Sequence, residues 1–309
     1  MLDPGPQAPP WELNSELIPS KLPKLSPLKR AKVFLQNVSV APKHRILRPA
    51  RHGGLWAIFF AYSPSGSAFD QHDFTIRRLR DDGFHVLVVL AIDPLVDFDP
   101  SAWASADALI LKGLKGYDFS GYQIGLRHLV DTVGTVDVLV LNDSVFGPFS
   151  SLREVVQQRD WRLTGFTSSF AVENHIQSYA FFIRAADSRT LTVWTTVMLP
   201  RLCLTAHHAV AYVQETRLAR VAVDSGLSVG ALWSPKQRDV DLLMAYPLEI
   251  LGSGFPFLKR STVGKFSHNF DSASILEKLR RLGHPMNSKG LFEGFDRLTS
   301  PAPNSQPPL

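Results

Sequence analysis

The sequence is poor in the residues that mark several classes of protein. One cysteine, Cys203, occurs among 309 residues, which excludes an intramolecular disulfide and a thiolate metal cluster, and we interpret it as a small core residue. No run of about 18 uncharged apolar residues occurs, so we expect no membrane-spanning helix. Prolines at positions 4, 6, 9 and 10 interrupt the place where a signal peptide needs an apolar core. These absences predict a soluble, cytoplasmic protein.

The remaining composition is that of an ordinary globular protein. Hydrophobic residues make up 45% of the chain and charged residues 20%, which excludes wholesale disorder, collagen and coiled coil. The net charge of +5 arises within the first fifty residues, while residues 51–309 hold equal numbers of each sign. A nucleic-acid-binding domain would carry its own basic face, so we expect no nucleic acid among the partners.

Both ends of the chain are predicted to be poorly ordered extensions. Nine of the 22 prolines lie in the first fifty residues, and further prolines crowd the C-terminus. We therefore predict a basic, proline-rich extension over residues 1–53, one domain over 54–295 and a disordered tail over 296–309.

The basic segment over residues 20–36 allows two interpretations. It mixes Lys and Arg with Leu, Val and Phe, which would suit peripheral contact with the anionic inner face of the cell membrane. A solubilising linker is the alternative, because Pro23 and Pro27 argue against a clean amphipathic helix.

Strand and helix signals alternate along the body of the chain. Continuous apolar runs, typical of strands buried on both faces, lie at residues 55–63, 84–92, 108–113 and 136–141. Apolar residues at helical spacing separate them, at residues 69–80 and 122–133. The less regular second half has strand signals at 162–169, 178–184 and 227–233, and helix signals at 205–224 and 272–282. This order predicts an α/β fold with a mostly parallel, Rossmann-like sheet.

Ligands of such sheets bind beyond the carboxyl ends of the strands. The residues predicted at those ends are 61–63, Asp93, 112–113 and 142–144. No G-x-G-x-x-G follows the first strand and no G-x-x-x-x-G-K-[ST] occurs, so neither a dinucleotide site nor a Walker phosphate loop is predicted. Lys112 either faces phosphates or belongs to an ordinary turn.

Two carboxylates are candidates for chemistry. Asp143 directly follows the fourth apolar strand, where it could hold a divalent cation that bridges a diphosphate, although Asn142, Asp143 and Ser144 could equally form an Asx-turn. Glu215 projects from a small, apolar stripe of the 205–224 helix. It is either a general base lining a cleft or half of a buried ion pair with an arginine.

Five short motifs follow one another along the body of the chain. The strongest is N-D-S-x-x-G-P at residues 142–148. The others are close to G-x-D-F-G-x-W/Y at 116–122, W-G-L-T at 161–164, H-x-Q-S-Y/F at 175–179 and P-F-L-K at 256–259. In this order the five motifs resemble those of the rhamnan synthesis protein F family of bacterial polysaccharide glycosyltransferases, and the resemblance covers roughly residues 54–262.

The resemblance implies a GT-A-type enzyme that moves rhamnose from dTDP-L-rhamnose to a glycan or glycolipid acceptor with inversion, in O-antigen or other polysaccharide biosynthesis. It implies Glu215 as the base, with Asp118 as second candidate, and Asp143 as the ligand of Mn²⁺ or Mg²⁺. The nucleotide sugar would contact Tyr62, Asp93, Lys112, Asn142 and Ser144, and the sugar or acceptor would contact His175 and Gln177.

Two other functions stay open from the sequence. Leu114 and Arg162 depart from the family pattern, which would suit a catalytically inactive protein that binds sugar nucleotide or polysaccharide. A scaffold in a polysaccharide assembly complex is the third possibility.

Overall fold

A large mixed sheet forms the centre of the molecule in the computed structural model, which describes residues 8–18, 26–51, 53–157 and 159–286. The described strands are β1 (Trp11–Glu16), β2 (Val38–Val40), β3 (His44–Arg48), β4 (Leu55–Tyr62), β5 (His85–Ala91), β6 (Ala108–Lys112), β7 (Val136–Asn142), β8 (Val145–Phe146), β9 (Leu163–Ser169), β10 (His175–Ile176), β11 (Ala180–Ala186), β12 (Leu202–Leu204), β13 (Val229–Pro235) and β14 (Leu258–Lys259).

The described helices lie between and around these strands. They are α1 (Pro27–Asn37), α2 (Asp70–Asp81), α3 (Tyr117–Val133), α4 (Leu152–Gln157), α5 (Ser188–Val193), α6 (His207–Val210), α7 (Thr216–Asp224), α8 (Leu242–Ala245), α9 (Pro247–Gly252) and α10 (Ser272–Arg281).

The central sheet has the strand order β1-β13-β9-β11-β7-β4-β5-β6-β3, with β10 beside β9. Strands β7, β4, β5 and β6 pair in parallel, as do β9 and β13, whereas β1, β3, β10 and β11 run antiparallel to their neighbours. Six strands therefore point the same way, and the predicted α/β fold with a mostly parallel central sheet is confirmed.

The side chains on the two faces of β4 belong to two separate hydrophobic cores. Ile58 and Phe60 point into the core under α3, and Ala57 and Phe59 point into the core on the α2 side. Because both faces are covered, the strand is apolar at successive positions instead of alternating. This is why its position could be predicted from a plain apolar run.

Close approach of α3 to the sheet depends on Gly121. An added Cβ there would lie 2.3 Å from Cδ2 of the buried Phe60 ring. We expect Gly121→Ala to lower the free energy of unfolding by about 1–3 kcal/mol through overpacking, despite the better helix propensity of alanine. Chemical denaturation measures this. Gly252→Ala is the control, because no atom lies within 4 Å of its Cβ position; equal stabilisation of both variants would contradict the expectation.

The described part of the first 53 residues is ordered, which corrects the predicted loose extension. Strand β1 pairs with β13 and strand β3 pairs with β6, so this segment supplies both edge strands of the central sheet. Helix α1 forms because Pro27 occupies its first turn, where a proline removes no hydrogen bond. Residues 1–7, 19–25 and 287–309 lie outside the described residues, and the last of these ranges includes the predicted tail over 296–309.

A buried ion triad fastens α1 to the domain. The fully buried Glu173 carboxylate accepts hydrogen bonds from Arg30 of α1 and from Arg220 Nε of α7, the latter at 2.7 Å. Burial alone would raise the pKa of Glu173, but the bonds from Arg220 and Arg30 outweigh it and hold the pKa below its usual range. The glutamate stays charged because two guanidinium groups share its charge.

The helix predicted over residues 205–224 is continuous but not uniform. Its middle, Ala211–Glu215, is a π-helical turn between α6 and α7. Such turns widen the helix by one residue and are frequent at functional sites. None of the helices in the described ranges is both long and apolar enough to cross a membrane.

Candidate functional site

Asn142, the last residue of β7, and Asp143, the first residue after it, lie on different faces of the central sheet. Successive side chains of a strand point to opposite faces. Asn142 reaches Asp118 on the α3 side, whereas Asp143 lies beside His72 and Arg260 on the α2 side. The residues predicted at the carboxyl ends of the strands therefore occupy separate places along that edge of the sheet.

Asn142 connects two of the sequence motifs. Its Nδ2 donates to Asp118 Oδ2 at 2.9 Å, and its Oδ1 accepts hydrogen bonds from the backbone N–H and the hydroxyl of Ser144. This is the Asx-turn that the sequence left as an alternative, and it also fixes the amide so that its N–H groups face Asp118. Asn142 and Ser144 position a carboxylate here.

Glu215, at the end of the π-helical turn, faces the same side as Asp118. Its Oε1 accepts hydrogen bonds from Ser178 N at 2.8 Å and Ser178 Oγ at 3.0 Å. The Ser178 carbonyl in turn accepts a bond from Tyr122 OH at 2.9 Å, and that hydroxyl lies 3.5 Å from Asp118 Oδ2. The described hydrogen-bond partner of Glu215 is thus a serine, whereas the buried Glu173 is paired with two arginines.

The Glu215 carboxylate acts electrostatically on Asp118. Burial raises the pKa of Asp118 to about 6, and the nearby Glu215 carboxylate adds to the rise. The hydrogen bonds from Phe119 N and Asn142 oppose it. A carboxyl group with a pKa near neutrality, next to a second carboxylate, is a chemical arrangement suited to proton transfer.

Asp143 is held by its neighbours at the other face. Its Oδ2 accepts a hydrogen bond from Tyr62 N at 3.0 Å and lies 3.8 Å from both Arg260 Nη1 and His72 Nε2. Burial raises the pKa of Asp143, while Arg260 and the Tyr62 N–H oppose the rise. Tyr62 itself is 42% exposed, so its ring remains accessible at the strand end.

A cavity of about 10 Å³ adjoins Asp143, large enough for a single water molecule. Buried polar atoms without a hydrogen-bond partner among the described residues line it: Gln71 Nε2 and Oε1, His72 Nε2 and His284 Nε2. Burial, together with Arg260, lowers the pKa of His72 to about 3, so its ring is neutral.

The fit of these residues to a divalent cation is poor. Within the described residues, no group of three or more His, Cys, Asp or Glu side chains is placed to hold a metal ion. A cation at Asp143 would meet one carboxylate and the Arg260 guanidinium, whose charge repels it. The role of Asp143 as a metal ligand stays a prediction.

Asp93 and Lys112 line a second, larger cleft beyond the ends of β5 and β6. The cleft measures about 240 Å³. Asp93 Oδ1 accepts a hydrogen bond from Leu95 N at 3.0 Å. The Lys112 ammonium is buried and bonds to the carbonyl oxygens of Lys115 and Tyr117, and burial lowers its pKa to about 8. Lys112 thus stabilises the turn before α3.

The two residues predicted to contact the acceptor differ in accessibility. His175 is buried in β10, and its Nδ1 bonds to the carbonyl of Glu173 at 2.6 Å. Gln177 is partly exposed, accepts a bond from Thr167 Oγ1 and donates to Asp241 Oδ2 at 3.2 Å. Gln177 offers a sugar more surface than His175, and both roles stay predictions.

Sequence reasoning missed the residues that support the carboxylates. Ser178 lies within the H-x-Q-S-Y motif, so the motif contained a signal for it. Tyr122 was attributed to the core because it lies on the apolar stripe of α3. Arg260 directly follows the P-F-L-K motif, and its contact with Asp143 spans 117 residues.

Comparison with known proteins gives one family and a partial relative. The model of the family described as rhamnan synthesis protein F matches residues 100–286. The virulence protein VirA of Vibrio anguillarum is 30% identical over 128 residues, which are 40% of this chain. The match spans 41% of the length of that relative.

Two solved structures are similar in part. One is described as a nucleotide-diphospho-sugar transferase from Desulfovibrio desulfuricans, with 12% identity, a TM-score of 0.37, and coverage of 74% of this chain and 96% of that chain. The other is a 4-diphosphocytidyl-2C-methyl-D-erythritol synthase, with 11% identity, a TM-score of 0.30, and coverage of 64% and 99%. TM-scores this low do not establish a shared fold.

Proposed function

The chain belongs to the rhamnan synthesis protein F family, and from this premise we propose that it is a glycosyltransferase. Its donor would be a nucleotide sugar, dTDP-L-rhamnose, and its acceptor a growing cell-surface polysaccharide or glycolipid. The observation that supports this most is the pair of carboxylates, Glu215 and Asp118, at the carboxyl edge of the sheet.

In the proposed reaction Glu215 is the general base. Both described hydrogen bonds to its carboxylate end on Oε1, which leaves Oε2 to accept the proton of an acceptor hydroxyl. The hydroxyl oxygen then forms a bond to the anomeric carbon on one face of the sugar, while the bond to the diphosphate oxygen breaks on the other. The configuration inverts, and the electron pair leaves with the nucleoside diphosphate.

Asp118 is the second candidate for the base. Its pKa of about 6 is close to a working pH, and Asn142 orients it. A base must also reach the acceptor, and Glu215 is carried on a π-helical turn that shifts its side chain relative to a regular helix. We therefore assign the proton transfer to Glu215. Asp118 has a supporting role, in which its carboxyl group sets the electrostatic environment of the base.

The transfer assay uses the full chain with dTDP-L-rhamnose, other nucleotide sugars and a rhamnan oligosaccharide, with and without Mn²⁺, Mg²⁺ or EDTA. We expect an extended oligosaccharide by mass spectrometry and a new α-linkage by NMR. Stabilisation of the protein by a dTDP-sugar without any product would instead indicate a binding protein. Retention of the donor's configuration would contradict the inverting mechanism.

We also propose that α1 contacts an anionic membrane. Leu28 and Leu35 project from it with 83% and 72% of their surface exposed, flanked by the exposed Lys29 and Lys32. No acidic residue occurs in α1. The helix packs on the π-helical turn that carries Glu215, with Arg30 Nε bonded to the Tyr212 carbonyl at 3.1 Å. A lipid-linked acceptor would then arrive beside the base.

The double variant Lys29→Gln, Lys32→Gln is expected to bind vesicles of phosphatidylglycerol and phosphatidylcholine about thirtyfold more weakly, since each lysine near such a surface contributes about 1 kcal/mol. Flotation of the full chain measures the change. The control Lys236→Gln, Arg238→Gln removes the same charge from another exposed segment. Equal losses in both double variants would contradict docking through α1.

A further inference from the structure

The 240 Å³ cleft beyond β5 and β6 has a wall that the predicted donor site did not include. Strand β3 runs antiparallel to β6, so its first residues lie at the carboxyl edge of the parallel strands. Three consecutive side chains there, Lys43, His44 and Arg45, line the cleft and are exposed. The family match begins at residue 100, so this wall belongs to the part of the chain outside it.

The opposite wall is apolar with one carboxylate. It consists of the loop after β5 and the end of β6, with Ile92, Asp93, Pro94, Val96, Phe98 and Leu111. Asp93 already accepts a hydrogen bond from the Leu95 N–H, so one carboxylate with a local partner faces the basic side chains of Lys43 and Arg45. The cleft therefore has one apolar wall and an excess of positively charged side chains.

We propose that this cleft binds the nucleoside diphosphate of the donor, with Lys43 and Arg45 on the phosphate oxygens and the apolar loop against the nucleoside. The inference rests on the proposed transferase function. Ligands of α/β sheets bind at this edge, and Lys and Arg side chains can stabilise a departing diphosphate without a metal ion. This assignment agrees with the poor fit of Asp143 to a divalent cation.

Two further observations favour a ligand over a purely protective role of the charges. Edge strands often carry lysines that prevent pairing with other chains. Here, however, the charged residues border a cleft, and backbone bonds fix that border: Gly113 N donates to Lys43 O at 3.0 Å, and Ile92 N donates to Lys112 O at 2.9 Å. At about 240 Å³ the cleft lies just below the roughly 300–1,000 Å³ usual for ligand pockets, so it would enclose only part of the donor.

The test is titration calorimetry of the full chain with dTDP and with thymidine, in EDTA. For Lys43→Gln, Arg45→Gln we expect dTDP to bind about 10- to 100-fold more weakly, and thymidine to bind as before, because charge-assisted bonds to phosphate are lost. The control is again Lys236→Gln, Arg238→Gln, with unchanged affinity for both. The melting temperature of each variant verifies that it is folded.

The outcomes separate this inference from the transferase proposal. Binding of dTDP that needs Mn²⁺ or Mg²⁺ and is the same in wild type and the Lys43, Arg45 variant would overturn the inference while leaving the transferase intact. Charge-dependent dTDP binding without any sugar transfer would uphold the cleft and overturn the transferase. Failure of the wild type to bind dTDP, other nucleoside diphosphates or pyrophosphate would overturn the inference.

Discussion

Glutamine at position 215 is expected to lower the turnover number about 10²- to 10⁴-fold, the usual contribution of a general base. The amide keeps an oxygen that can accept the Ser178 hydrogen bonds, but it cannot take the proton of the acceptor hydroxyl. The KM for the donor should change little, because Glu215 is not among the residues that line the cleft proposed to bind the nucleotide. Steady-state kinetics with donor and acceptor varied separately measures both parameters.

Asparagine at position 118 provides the comparison. Because the folded-state pKa of Asp118 is raised to about 6, its ionisation opposes folding, and this cost appears as the pH rises from 3.8 through 6. The Asp118→Asn variant should therefore lose part of its activity, lose any inflection of activity near pH 6 and gain thermal stability at pH 8. A larger loss of turnover for Asp118→Asn than for Glu215→Gln would assign the base to Asp118 instead.

The largest effect on stability is expected at Glu173. Glutamine there removes the charge that Arg30 and Arg220 share in a buried place. Breaking a buried ion pair by removing one partner costs about 3–5 kcal/mol, because the remaining charge is left without compensation. We expect Glu173→Gln to lower the free energy of unfolding by that amount, as measured by urea denaturation at pH 7.

Glu277→Gln is the matched control. Glu277 pairs with Arg280 and Arg281 on the exposed side of α10, so its replacement should change the free energy of unfolding little.

The contribution of Glu173 to stability depends on pH with a definite sign. The pKa of Glu173 is lowered by folding, so its contribution is complete above the ordinary value of 4.5 and declines as the pH falls below it. Equal stability of wild type and Glu173→Gln at pH 7 would contradict the role of the triad.

The positions of the central strands could be predicted because buried strands have continuous apolar sequences. The run predicted over residues 55–63 is β4, Leu55–Tyr62, and the run over 84–92 is β5, His85–Ala91. Ser151 and Glu154 also have the spacing of a capping box at the start of α4, and Glu154 N donates to Ser151 Oγ. These signals are local, so neighbouring residues suffice to detect them.

Features set by distant contacts were not predictable in the same way. The first fifty residues looked disordered because edge strands and a partly exposed helix require few apolar residues, and the anchor of that helix, Glu173, lies 143 positions after Arg30. Alternation along β7 sets the face of Asn142, but Asp143 already belongs to the turn after the strand, and its contact with Arg260 depends on a loop far along the chain. The roles of the site residues stay predictions for the same reason.

The placement of β1 and β3 at the two margins of the central sheet has a practical consequence for anyone shortening the protein. Removal of everything before residue 54, where the domain predicted from the sequence begins, uncovers the backbone of β13 and of β6 at once. Unpaired margins of this kind recruit strands from other molecules. The shortened protein would therefore be expected to self-associate and precipitate, and a lack of activity in it would say nothing about the chemistry of the removed residues.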